Sequence, residues 1–228
     1  MIYTYALSIL LNPIFIYSRI WRYIYLPLVQ YFNLPTDNHN NFGNSHILSL
    51  VYSIIMTLIT PYSYYLLYNN YWNESQINSY VTSFIYNFSI TYFASDLIIG
   101  MQYYPKILNS NILTSYIHHI AYIGLFAYGK YYNKNYLFIF GLPYEIPTIL
   151  LNLGYINPKY KNYKLFGILF FIFRIIHNSY LLYRTWMVYN DLFIFCLFTF
   201  ILHSNWFYGY VIKYLLSEVQ NLAPYEAP

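Results

Sequence analysis

Charge is scarce in this sequence. Eleven Lys and Arg with seven Asp and Glu make up 8% of its 228 residues, where a soluble domain carries about 25%. That shortage argues against an ordinary soluble globular chain. Cysteine is nearly missing too. The single Cys196 can form no intrachain disulfide and no cysteine cluster for a metal, and its Phe-Cys-Leu setting suits plain packing. A basic face is lacking: the net charge is +4, but the Lys and Arg are scattered through loops, so no nucleic-acid partner is expected. The N-terminus has no basic stretch followed by a small-residue cleavage site, so no secretory signal peptide is expected. No internal repeat is visible, and no His-x-x-x-His or His-x-x-Glu-His spacing points to a bound metal. No cofactor is expected.

What fills the space is apolar and aromatic. Hydrophobic residues make up 59%, aromatics 25%, and Tyr alone occurs 34 times. Such a chain reads as all-α, a polytopic membrane helical bundle. Tyr suits the membrane interface, but 34 are too many for a belt, so many are expected in helix packing. Six apolar segments near the roughly 20 residues needed to cross a bilayer lie at 46–68, 79–101, 111–129, 135–153, 164–186 and 191–215. Residues 1–45 form an N-terminal hydrophobic segment and a polar loop; up to residue 33 the segment either spans once or lies in the interface. Residues 46–216 form the transmembrane domain, and 217–228 a short cytosolic tail.

The loops vote on orientation. Arg19, Arg22, Lys106, Lys159, Lys161, Lys164 and Lys213 fall on one side, Lys130, Lys134 and Arg184 on the other. The positive-inside rule puts the first side in the cytosol. Asn73-Glu-Ser is an N-glycosylation sequon on the opposite side.

Against this apolar background seven ionisable residues fall inside the predicted spans: Asp96, His118, His119, Glu145, Arg174, His177 and His203. For Asp96, Glu145 and Arg174 alone, facing lipid would cost about 8–10 kcal/mol in total. They are therefore expected to face a shared interior. Asp96 lies one turn before Gly100, either in that interior or merely solvated at the interface. His118 and His119 point about 100° apart on a helix, with Tyr122 one turn from both. A His pair can supply a general base and a partner that polarises a carbonyl, or it can be two packing histidines. Glu145 sits between Pro143 and Pro147, and two prolines four apart cannot sustain an unbroken helix. Broken backbone at membrane depth is tolerated only when buried in protein or lining a cavity, so Glu145 points to the cavity, or it is a kink residue paired with Arg174. Arg174 and His177 share a face at i and i+3, and Arg174 calls for an acid, Glu145 or Asp96. His203 reads as a helix–helix hydrogen bond.

The ordered set resembles the TLC (TRAM–Lag–CLN) domain family. Its pieces are Tyr-Phe-Ala-Ser-Asp96, then Ile117-His118-His119-Ile120. Next come Glu145-Ile-Pro-Thr-Ile-Leu-Leu-Asn152-Leu and Phe170-Phe-Ile-Phe-Arg174-Ile, and last Asn205-Trp206-Phe with Lys213 beyond it. The resemblance implies one multi-helix lipid-handling domain in the endoplasmic reticulum or a host-cell endomembrane, with membrane lipids as partners. It implies a polar cluster of Asp96, Glu145, Asn152, Arg174 and His177. In the ceramide-synthase branch the paired histidines, matching His118 and His119, belong to the active site. There acyl-CoA is a co-substrate and a sphingoid amine the acceptor. That branch also carries a His-Asp-x-Ser-Asp type segment followed by an acidic residue in the span after the pair. This sequence has Leu142-Pro-Tyr-Glu-Ile-Pro147 instead. It is closer to the non-synthase members, which influence membrane lipid composition without a defined reaction. A proton-coupled transporter using the same charges is the further alternative, weakened by the lack of repeats.

Overall fold

The computed structural model describes residues 20–34, 42–69, 79–110, 112–188 and 190–222. Among these every regular element is a helix. The order is α1 (20–31), α2 (Phe42–Asn69), α3 (Ser79–Tyr103), α4 (Pro105–Ser110), a π-helical turn Leu113–Ile117 and α5 (His118–Tyr131). Then follow α6 (Asn135–Gly141), a 3-10 turn Leu142–Tyr144, α7 (Glu145–Ile156), α8 (Tyr163–Phe170), a second π-helical turn Phe171–Ile176, α9 (His177–Val188) and α10 (Asn190–Leu222). Long apolar runs give this result because a helix satisfies its own backbone polar groups where lipid cannot. The protein is an integral, multi-pass membrane protein.

Five helical stretches among the described residues are long and apolar enough to span: Gly43–Asn69, Tyr80–Tyr103, Phe138–Ile156, Tyr163–Met187 and Leu192–Tyr214. The sixth expected span, 111–129, is not among these five: there the π turn Leu113–Ile117 runs directly into α5. Of the N-terminal segment, the described part is α1 and the turn that follows it. It lays Trp21, Tyr25 and Val29, all buried and four residues apart, inward. Trp21 meets Phe88 and Tyr92, and Tyr25 meets Tyr103 and Tyr104. Asn73 and the end of the tail lie outside the described residues.

The chain divides into two compact units, Met1–Lys161 and Asn162–Pro228. In the first, α2 packs most extensively on α7, and α3 on α5. Helix α5 ends where Asn133 adopts φ 54° and the Lys134 amide donates to the Gly129 carbonyl at 2.8 Å. This is the left-handed closure that Asn tolerates. Gly129 has a second constraint, since a Cβ there would overlap the Phe138 ring. In the second unit, α8, the π turn and α9 pack on α10. A Cβ on Gly167 would overlap the Tyr210 ring, whose hydroxyl donates to the Tyr163 carbonyl at 2.6 Å. Cys196 is buried and free, in keeping with a packing role.

The proline pair breaks the backbone as expected. Pro143 falls in the 3-10 turn and Pro147 in the first turn of α7, where an amide donor has no intrahelical acceptor to lose. Glu145 thereby becomes the first residue of α7, a position that favours a carboxylate.

Candidate polar site

Three helices of the first unit carry polar residues at spacings of three and four. They are His46, Ser49 and Tyr52 on α2; Ser89, Tyr92 and Asp96 on α3; and Glu145, Thr148 and Asn152 on α7. On a helix such residues share one face. Hydrogen bonds join them. Asn152, 1% exposed, accepts from His46 Nδ1 at 2.7 Å and donates to Ser49 Oγ at 2.9 Å. The His46 ring lies flat on Tyr155, centroids 4.2 Å apart. Ser49 is bonded to the Tyr92 hydroxyl, and Tyr52 to Ser89 at 2.9 Å. The Tyr52 and Tyr92 rings stack at 4.1 Å. Glu145, half-buried, acts electrostatically on both of those tyrosines. Asn152 was legible as a site residue, whereas His46 looked like the first residue of a span after a polar loop.

Asp96 and His119 form the charged end of this seam. Both are buried, at 6% and 8% exposure, and His119 Nε2 lies 2.8 Å from Asp96 Oδ2. Asp96 is thus interior, not solvated at the interface. Its other oxygen, Oδ1, accepts from the Tyr104 hydroxyl at 2.9 Å. Burial and then the Asp96 carboxylate push the Tyr104 pKa well above the ordinary phenol value, so this hydroxyl keeps its proton and donates. Of the two acids weighed as counter-ions to Arg174, Asp96 is held by these partners.

Donor logic fixes His119 further. Its Nδ1 is 2.5 Å from the Ser115 carbonyl, and a carbonyl only accepts, so Nδ1 bears a proton. A single further proton then lies between Nε2 and Asp96, held by whichever of the two atoms. Both ring nitrogens are engaged. His119 therefore cannot take a proton from a substrate without first releasing Asp96 or Ser115. His118, the other half of the pair, is half-buried. Its ring stands at 87° to His119 and packs on Tyr122 at 4.5 Å, the one-turn neighbour expected. Phe93 lies between the helices, 5.9 Å from His118 and 5.4 Å from His119. At the other end of the same helix pair, Lys130 donates to Asn87 at 2.6 Å, so α3 and α5 are tied twice.

Arg174, His177 and His203 lie in the second unit. Arg174 falls in the π turn, half-buried. Its guanidinium lies over the rings of Phe170 and Trp206, 5.3 and 5.9 Å from their centroids, within cation–π range. His203, 1% exposed, meets Arg174 at Nε2, 3.4 Å, and Asn178 at Nδ1, 3.3 Å. It joins helices as expected. The sequence placed His177 on Arg174's face at i+3; Asn178, at i+4, meets the same ring as Arg174, and both positions neighbour residue i on a helix.

Among the described residues no group of three His, Cys, Asp or Glu could hold a metal ion. A TLC domain family model matches residues 41–216. Comparison with curated proteins and with solved structures gives no match. The chain belongs to the TLC domain family.

Proposed function

We propose that this TLC-domain protein binds a membrane lipid and influences membrane lipid composition, in the endoplasmic reticulum or a related endomembrane. The observation that carries the reading is the double engagement of His119, by Ser115 at Nδ1 and Asp96 at Nε2. A general base needs an open nitrogen within hydrogen-bond reach of the proton it takes, and this ring offers none. The seam from Asp96 to Glu145 then serves recognition. Its hydroxyls and amides meet the polar part of a lipid, while the apolar helix faces meet its chains.

The same contact also favours a second reading, a ceramide-synthase-like N-acyltransferase using acyl-CoA. A His oriented by an Asp is the arrangement that supports nucleophilic and base catalysis. In that case His118 approaches the amine and His119–Asp96 stands behind it. Lipidomics of cells expressing wild type and the His118→Ala/His119→Ala variant separates the two. The lipid-binding reading predicts shifted phospholipid chains with ceramides untouched. Ceramide species that change with wild type and revert in the double variant establish the acyltransferase.

A further inference from the structure

One nitrogen of the first unit's seam is left open. His46 is half-buried, and its Nδ1 lies 2.7 Å from Asn152 Oδ1. The NH2 end of Asn152 is used on Ser49 Oγ at 2.9 Å, so the amide oxygen faces the ring and Nδ1 bears the proton. No carboxylate touches this ring among the described residues, and near neutral pH an imidazole without such a partner is uncharged. Nε2 therefore holds a lone pair and accepts. It has no hydrogen-bond partner among the described residues, and it is not an enclosed atom. The inner edge of the ring is turned to Asn152, 1% exposed, so the outer edge with Nε2 is the one that reaches the surface. His119 and His203 differ, since both nitrogens of each are engaged.

The open nitrogen is also held in place. The His46 ring lies flat on Tyr155 of α7, with planes 4° apart, and Asn152, one turn earlier on the same helix, fixes how the ring is turned. Two helices put it at one depth. His46 is three residues from the Gly43 end of its span, and Tyr155 is one residue from the Ile156 end of its own, about 4.5 and 1.5 Å at 1.5 Å per residue. That is the level of the membrane interface, where amphipathic groups sit. Further along α2, two and three four-residue steps from His46, Ile54 and Leu58 are exposed apolar side chains. An uncharged acceptor at the interface, beside an apolar helix face, matches a donor hydroxyl on a hydrocarbon chain. It offers nothing to a carboxylate or a phosphodiester, which only accept.

We propose that His46 Nε2 accepts a hydrogen bond from the hydroxyl of a neutral lipid, an acylglycerol or a long-chain alcohol, whose hydrocarbon runs along the exposed face of α2. This deepens the lipid-binding reading and rests on it.

The test uses the full chain in phosphatidylcholine nanodiscs, whose lipid has no hydroxyl to donate. Tritiated oleyl alcohol and tritiated oleyl methyl ether are the probes, and retention is read above that of protein-free discs. Wild type is expected to retain the alcohol over the ether by about threefold to tenfold, the factor that one neutral hydrogen bond carries. His46→Phe keeps a ring to stack on Tyr155 and removes the acceptor, so the ratio should fall close to one. Asn152→Leu releases the turn of the ring and should lower the ratio. The ratio within one variant is the readout, because general damage to the fold lowers both probes together. Competition by dioleoylglycerol shows an acylglycerol as the source; its failure to compete leaves the long-chain alcohol. Equal retention of both probes by wild type, or an unchanged ratio in His46→Phe, overturns the inference and leaves lipid binding standing. Retention of neither probe by wild type overturns it as well, and mass spectrometry of the lipid that co-purifies with the same chain shows whether lipid binding falls with it.

Discussion

Replacing Asp96 in two ways separates its structural from its protonic role. The carboxylate makes two contacts: Oδ2 with His119 Nε2 at 2.8 Å, and Oδ1 with the Tyr104 hydroxyl at 2.9 Å. Asp96→Ala removes both acceptors from a site where His119 is 8% and Tyr104 4% exposed. Breaking a buried pair by deleting one partner costs about 3–5 kcal/mol, because the other is left uncompensated. Asp96→Asn is different. Its oxygen can still accept from Tyr104, and its NH2 can donate to Nε2 of a neutral His119 whose proton stays on Nδ1, facing Ser115. Both hydrogen bonds survive, and only the shared proton is gone. The expected cost is about 1 kcal/mol or less, the scale of exchanging one hydrogen bond for another. Thermal unfolding of the purified chain in a mild detergent, followed by far-UV circular dichroism, reads both. An Asn variant as unstable as the Ala variant would refute the assignment of a proton to Nδ1, since a neutral His119 protonated at Nε2 instead would meet the Asn NH2 donor to donor.

Other expectations follow from the same geometry. Tyr104→Phe deletes one donor to Asp96 and should cost about 1.5–3 kcal/mol, the range for a hydrogen bond to a charged group, measured by the same melts. Asn152→Leu keeps the volume class but removes the acceptor of His46 Nδ1 and one of Ser49's two partners, so it should cost about 1–3 kcal/mol; Asn152→Gln should recover part of that. Gly167→Val forces a side chain into the Tyr210 ring and should cost about 1–3 kcal/mol. The added substitution Tyr210→Ala should relieve it in a double-mutant cycle. Pro147→Ala should change stability by less than about 1 kcal/mol, because Pro147 occupies a first-turn position where no helical bond depends on its amide.

Much of the architecture could be read from residues alone, for a physical reason. Apolar runs of twenty or more have one stable solution in lipid, so five of the six segments appear as spanning helices close to their expected bounds. The break at Pro143–Pro147 was equally legible, because proline's missing donor does not depend on context. The segment 111–129 has the length of a span but is not among the five long, apolar stretches. Asn111, Thr114, Ser115 and the histidine pair make it polar, and its first turn widens into a π form. Near the site, burial of Asp96 and engagement of His119 could not be told from an interfacial, solvated reading until Tyr104, eight residues further on, was seen to close over the carboxylate. His46 was hidden by its position at a helix start, although its spacing to Ser49 and Tyr52 is the ordinary i, i+3, i+6 stripe. Asn178 stands at the ordinary i+4 position from Arg174 and was passed over because an uncharged amide does not stand out among the ionisable residues of a span.

The most direct test of the central claim, lipid binding without chemistry at His119, is an acyl-transfer assay on the purified full chain. Acyl-CoA and a sphingoid amine are supplied, and product and co-purifying lipid are measured together by mass spectrometry. The account predicts bound lipid that survives purification and no N-acyl product. N-acyl product formed by wild type and lost in His118→Ala and His119→Ala would contradict it.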